Sequence, residues 1–288
     1  YTWMSRSFAL GSTQTGLVEA AAAPIDLTSW DLTWRGARHQ AKILCNHPYR
    51  SALRFSSFLP ELPQRVGRSV GTRKPFLQVP DRLFGASPYE RMMQHEGTIV
   101  VLYRIPPEEE VRYVNCFLPK AHTWHEQNGW LLSDQDDFFV GVRPIGPYRW
   151  EDIYEPGKDG NWIDGWLLRI NDLNAGVVLE AVEREQVGDF DSFCRARSEA
   201  HLDLSRWAAA GHVSVDSLAG VRLDMAYDGA HRVQGRVVDY DGYPLFGAPG
   251  VEAPLGSGRV ALRHGSDELI LDFDIDPTAD ALPMRVIG

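Results

Sequence analysis

Ile99-Val100-Val101-Leu102-Tyr103, followed downstream by Gly129-Trp130-Leu131-Leu132-Ser133 and Phe138-Phe139-Val140-Gly141-Val142, decides the fold class. The first run is unbroken, apolar and rich in β-branched side chains, the pattern of a strand covered on both faces. The other two flank Asp134-Gln135-Asp136-Asp137, a polar turn, and read as a hairpin. A hairpin this apolar is marginal alone in water, so further sheets must cover it. The stretch from Gln94 to Tyr148 therefore belongs to a large β-structure.

Outward from that stretch the same pattern continues. Trp30, Leu32 and Trp34 fall at period two, the spacing of a half-buried strand. Ala41 to Cys45 forms another strand, ended by Asn46-His47-Pro48. The run Ala20 to Ala23 is stopped by Pro24 and reads as a short turn or loop. Residues 60–93 carry five prolines and read as a long irregular loop, anchored by Phe76, Leu77, Leu83 and Phe84. Downstream, Trp166 to Ile170 and Gly176 to Leu179 are strands, and the acidic segment from Trp150 to Asn161 reads as turn-like. One helix is expected near 189–200, capped by Asp189, with Phe190, Phe193, Cys194 and Arg197 on one face. From 212 onward Val213/Val215, Val221/Leu223/Met225/Tyr227 and Leu269/Leu271/Phe273 alternate, and Asp228-Gly229 and Asp241-Gly242 mark hairpin turns. The expectation is an all-β chain: a large antiparallel β-sandwich (a supersandwich) over residues 1–208, a smaller C-terminal β-region over 209–288, and one short helix.

The composition narrows the partners. The chain has 288 residues, 44% of them hydrophobic, enough for a substantial core. Its formal charge is −10 and Lys and Arg form no block, which argues against nucleic acid or an anionic membrane surface as a partner. No apolar run approaches a membrane span. Cys45, Cys116 and Cys194 are too scattered for a disulfide framework or a zinc pattern; they allow one bridge at most and are expected as reduced core thiols. The sequence opens on Tyr1-Thr2-Trp3 without an initiator Met, and a segment of a longer chain is expected.

Several fragments taken together carry a resemblance. Tyr1 to Gln14, the Ile43-to-Pro48 run, Asn128-Gly129-Trp130, Phe139-to-Pro144, Gly235 to Leu245 and Gly258 to Phe273 resemble the β-sheet domain of heparinase II/III-like proteins. That resemblance implies an upstream (α/α) toroid absent from this chain, an acidic polysaccharide or oligosaccharide as ligand, and a secreted or periplasmic location. It also implies β-elimination on a uronate-containing glycan, without a cofactor.

Such a reaction must neutralise a carboxylate, remove a proton and protonate a leaving oxygen. His47, at a strand end between Asn46 and Pro48, is the candidate acid/base or neutralising residue; the competing reading is a strand-terminating turn with His47 bonded to backbone. Asn46, His95, Arg143, Tyr148 and Trp150 are the candidate substrate-binding residues. A cation followed by two aromatics suits a sugar ring, which offers an apolar face to stack and a carboxylate to pair. His122 and His125 have His-x-x-His spacing, but no helical pattern orients them and no metal site is expected. Asp272, Asp274 and Asp276 read as a solvated strand face. A non-catalytic sandwich that binds glycan, or supports a toroid partner, is the alternative function.

Overall fold

A computed structural model of the chain describes residues 1–13, 29–35, 41–47, 87–155, 163–240, 250–253, 257–273 and 284–287. The alanine run, the apolar anchors of the proline-rich stretch, Pro48, Asp241-Gly242, Asp274 and Asp276 lie outside the described residues. The chain divides into two compact units, one spanning Thr2–Arg236 and the other comprising Tyr1 and Val237–Gly288.

The first unit is all-β with a few short helices. Its strands are β1 (Thr2–Met4), β2 (Phe8–Ser12), β3 (Trp30–Trp34), β4 (Lys42–Asn46), β5 (Glu90–His95), β6 (Thr98–Arg104), β7 (Val114–Pro119), β8 (His125–Gln127), β9 (Trp130–Asp134), β10 (Phe138–Ile145), β11 (Tyr148–Glu155), β12 (Ile163–Ile170) and β13 (Asn174–Glu183). They form a seven-stranded sheet in the order β1-β2-β3-β4-β7-β12-β11 and a six-stranded sheet in the order β5-β6-β13-β10-β9-β8. Every pairing is antiparallel.

The two sheets face each other over one apolar core. Leu10, Trp30, Leu32, Ile43, Cys45, Cys116, Leu118, Leu168 and Ile170 come from the first sheet; Met92, Ile99, Val101, Tyr103, Val140, Val142, Val177 and Leu179 come from the second. Within each strand these residues fall at alternate positions, as the pleat requires. This is the expected antiparallel sandwich.

The six-stranded sheet is covered on its outer face as well, which explains why Ile99 to Tyr103 carries no polar alternation. Helices α1 (Arg184–Val187) and α2 (Phe190–Glu199) follow β13 directly. Asp189 caps α2 by accepting from the Ser192 backbone N–H at 2.7 Å. Phe193 stacks on Phe139 with ring centroids 5.3 Å apart. Arg197 lies over the Trp130 ring and pairs with Glu180, both partners fully buried. Burial there disfavours the Glu180 charge, and Arg197 and the Leu218 N–H act against that cost. A further sheet, β14 (Leu202–Asp203), β15 (His212–Asp216), β16 (Arg222–Ala226), β17 (Arg232–Val233) and β18 (Arg236–Val237), follows; helix α3 (Trp207–Ala210) lies between its first two strands. Arg104 of β6 pairs with Asp228 just after β16 and lies 4.3 Å from the Tyr227 ring centroid.

The second unit contains an antiparallel four-stranded sheet, β19 (Val251–Glu252), β20 (Arg259–His264), β21 (Asp267–Asp272) and β22 (Met284–Ile287), in that order.

Three local expectations require correction. Cys45 and Cys116 are not reduced thiols but a disulfide: they are direct partners in the β4–β7 register with Cα atoms 3.9 Å apart. Cys194 is the free, buried thiol. Residues 90–93 belong to β5 rather than to the irregular loop, and inward-facing Glu90 and Gln94 disguise the strand's alternation. Likewise Trp150 opens no turn: β11 runs on to Glu155 as an edge strand whose charged positions hide its period.

Candidate functional site

The sandwich has an open edge where β11 of one sheet approaches β8 and β9 of the other. An open groove of about 560 Å³ lies there, lined by Lys120, His122, Thr123, Trp124, Glu126, Leu131, Trp150 and Trp166. The β11–β12 register builds one wall. Trp150 lies opposite Leu168 and Asp152 opposite Trp166; Leu168 points into the core, so the side chains of Tyr148, Trp150 and Asp152 share that inner face. The core is deep enough to bury Leu168 and Ile170, but at the edge strand it runs out, and Trp150 stays 38% exposed.

The aromatic wall is stepped. Trp150 meets Tyr148 edge-on, with centroids 6.4 Å apart at 84°, and meets Trp166 at 6.2 Å and 78°. Near-perpendicular neighbours are the arrangement that ring quadrupoles favour. Trp124 stands on the other side, its indole N–H donating to the Pro119 carbonyl at 2.9 Å. Its ring is packed against the core and half-buried.

Among the described residues, Lys120 at the groove is ion-paired, and Arg143 beside it lies in the field of Glu126. Lys120 Nζ is 2.5 Å from Asp152 Oδ1 and lies 4.6 Å from the Trp166 ring centroid. Arg143 donates from Nη1 to the Asn128 carbonyl at 2.7 Å. It crosses directly over Gly129, where a Cβ would sit 1.2 Å from Nη1. Asn128 and Gly129 both have positive φ, 49° and 74°, and form the two-residue turn of the β8–β9 hairpin. Burial lowers the Arg143 pKa, and Tyr148 and Glu126 oppose that shift. Burial and the neighbouring Glu126 carboxylate raise the Tyr148 phenol above its ordinary value. His122 Nε2 is 3.7 Å from Asp136.

The structure thus brings Arg143, Tyr148 and Trp150 together, and leaves the other three candidates apart from them. His95 is half-buried on β5, at the opposite edge of the six-stranded sheet from β8, beside a smaller cavity shared with Glu96, Glu180 and Glu183. Asn46 follows the inward Cys45 and so faces the outer side of the seven-stranded sheet, opposite Asn115, whose Oδ1 accepts from Arg169 at 3.0 Å. His47 has no exposed surface. Its Nε2 is 2.8 Å from the Val111 carbonyl, so that nitrogen carries the proton, and Nδ1 accepts from Ser87 Oγ at 2.9 Å. Burial holds its pKa below the ordinary value, despite the Val111 bond and Glu109. His47 is a neutral histidine enclosed at a strand end, the geometry of the strand-terminating reading.

Comparison with protein-family models, with curated proteins and with solved structures finds no match to this chain.

His122 and His125 point apart: His122 joins the groove, while His125 packs on Phe190 at 5.4 Å between centroids. No group of three or more metal-ligating side chains occurs among the described residues. Trp124, Trp166, Lys120, Thr123 and Glu126 are among the groove residues that the sequence did not single out as binding residues. Trp166 reads as an ordinary strand residue, and its function as a wall appears only from its register with β11.

Proposed function

We propose that this chain is a glycan-binding β-sandwich whose ligand lies in the aromatic groove between the edges of the two sheets. One observation carries the reading: Trp124, Trp150 and Trp166 line a single open groove among polar side chains able to donate and accept hydrogen bonds. A pyranose ring has an apolar face that gains by leaving water against an indole, and hydroxyls that must be paired as they do so. Lys120, Glu126 and Thr123 supply such partners at the groove. The resemblance to heparinase II/III-like β-domains supports the same ligand class. The Cys45–Cys116 disulfide supports a secreted or periplasmic location, since such bonds persist in oxidising compartments.

The test is calorimetric titration of the chain with a panel of hexasaccharides, neutral and acidic, alongside Trp150→Ala. We expect binding to at least one class and a loss of roughly tenfold or more in the variant. Wild-type protein that binds no member of the panel ends the proposal.

A second reading is favoured by Arg143 and Tyr148 beside Glu126: β-elimination, with the guanidinium facing a uronate's carboxylate, the Glu126 carboxylate taking the proton from the carbon next to it, and the phenol giving its proton to the leaving oxygen. The raised phenol pKa suits a donor rather than a base near neutrality. Ultraviolet absorbance of an unsaturated product, formed with a supplied toroid partner and absent for Tyr148→Phe, tests it.

A further inference from the structure

We infer that the groove selects uncharged pyranose rings over uronates, an inference that rests on the glycan-binding reading above. The argument is one of charge already committed. A uronate brings a carboxylate into a partly apolar groove, and it gains there only if a cation is left to receive it. Lys120, among the described residues the ammonium nearest the aromatic wall, is paired with Asp152 and seated on the face of Trp166. Arg143 is not among the residues lining the groove; it donates one N–H away from it, to the Asn128 carbonyl, and lies in the field of Glu126. His122 faces Asp136. Glu126 itself lines the groove as an exposed acidic side chain, where an incoming carboxylate would meet it.

Neutral rings meet none of these costs. Their hydroxyls can donate to Glu126 and accept from Lys120 without breaking the Lys120–Asp152 ion pair, and their apolar faces find Trp150 and Trp124. The molecule's formal charge of −10 adds a long-range bias in the same direction, slowing the approach of polyanions at low salt.

The experiment compares cellohexaose, mannohexaose and chitohexaose with hexagalacturonate and a mannuronate hexamer, titrated into the complete wild-type chain at two ionic strengths. The expected result is measurable binding for at least one neutral oligomer, at least roughly tenfold tighter than either uronate and nearly independent of salt. Uronate binding equal to or tighter than that of every neutral oligomer overturns the inference and leaves the glycan-binding reading standing. Binding by none of the five overturns both. A second arm weakens that pairing: Asp152→Asn, at a largely solvent-exposed side chain, removes the Asp152 charge from beside Lys120. The uronate-to-neutral affinity ratio is expected to rise roughly threefold. An unchanged ratio in a variant whose circular dichroism matches wild type shows that the pair does not set the preference.

Discussion

At the residue scale the sharpest contrast is between two buried titratable side chains of opposite charge type, His47 and Glu90, each titrating away from its usual range. His47 resists protonation, so the unfolded chain binds a proton there that the folded one does not; its contribution is complete above the ordinary 6.5 and is lost as pH falls through that range. Glu90 behaves oppositely. Burial raises it from 4.5 to about 7, against hydrogen bonds from Ser29 and Tyr103, so its contribution is complete below 4.5 and is lost as pH rises through about 7. Glu90→Gln is therefore expected to raise the thermal midpoint near pH 8, by up to about 3 kcal/mol in stability, and to change little near pH 4. Differential scanning calorimetry at the two pH values reads this directly. His47→Ala leaves the Val111 carbonyl and Ser87 hydroxyl without their partner and is expected to cost about 2–3 kcal/mol, measured by urea unfolding. Glycan affinity in the surviving folded fraction should be unchanged. At the same scale, sequence reading selected Arg143, Tyr148 and Trp150 because a cation followed by aromatics is a local pattern. It placed Asn46 and His47 with them because nothing local reveals which face of a sheet a side chain takes, and Cys45 turned inward turns Asn46 outward.

At the scale of elements, α2 and the β8–β9 hairpin carry the most specific claims. The helix was readable in advance: Asp189 is a standard capping residue, and Phe193, Cys194 and Arg197 recur on one face. What it covers was not readable, because Arg197 on that buried face finds Glu180 from a strand that reads as purely apolar on either side. Replacing Arg197 with Met strands the Glu180 carboxylate under the helix and is expected to cost about 3–5 kcal/mol by chemical denaturation. In the hairpin, Gly129→Ala must displace Arg143 and also hold an alanine at a φ of 74°, and a loss of more than about 1 kcal/mol is expected. The same variant should weaken glycan binding, since Arg143 and Glu126 are positioned by that turn. Strand β11 was hidden for a related reason: an edge strand with Arg149, Glu151 and Asp152 looks like a solvated turn until its neighbour is known.

At the scale of the molecule, the all-β architecture followed from the period-two runs and the scarcity of helical ones. The pairing of sheets did not, because β4 and β7 are neighbours across a separation that no local pattern spans. Their disulfide bridges 71 residues, and removing it is expected to lower stability by about 4 kcal/mol on the chain-entropy account, measured as a fall in thermal midpoint for Cys45→Ala/Cys116→Ala against wild type under non-reducing conditions. The same connectivity has a consequence during synthesis. Strands β1 to β4 are translated before β7 and align among themselves, but among the described strands the far side of β4 has no neighbour until β7 has been made, and β5 and β6, which come between, go to the other sheet. For that interval the nascent chain carries a bare strand flank with an unpaired thiol at its centre, the natural point for a chaperone or a thiol oxidase to intervene.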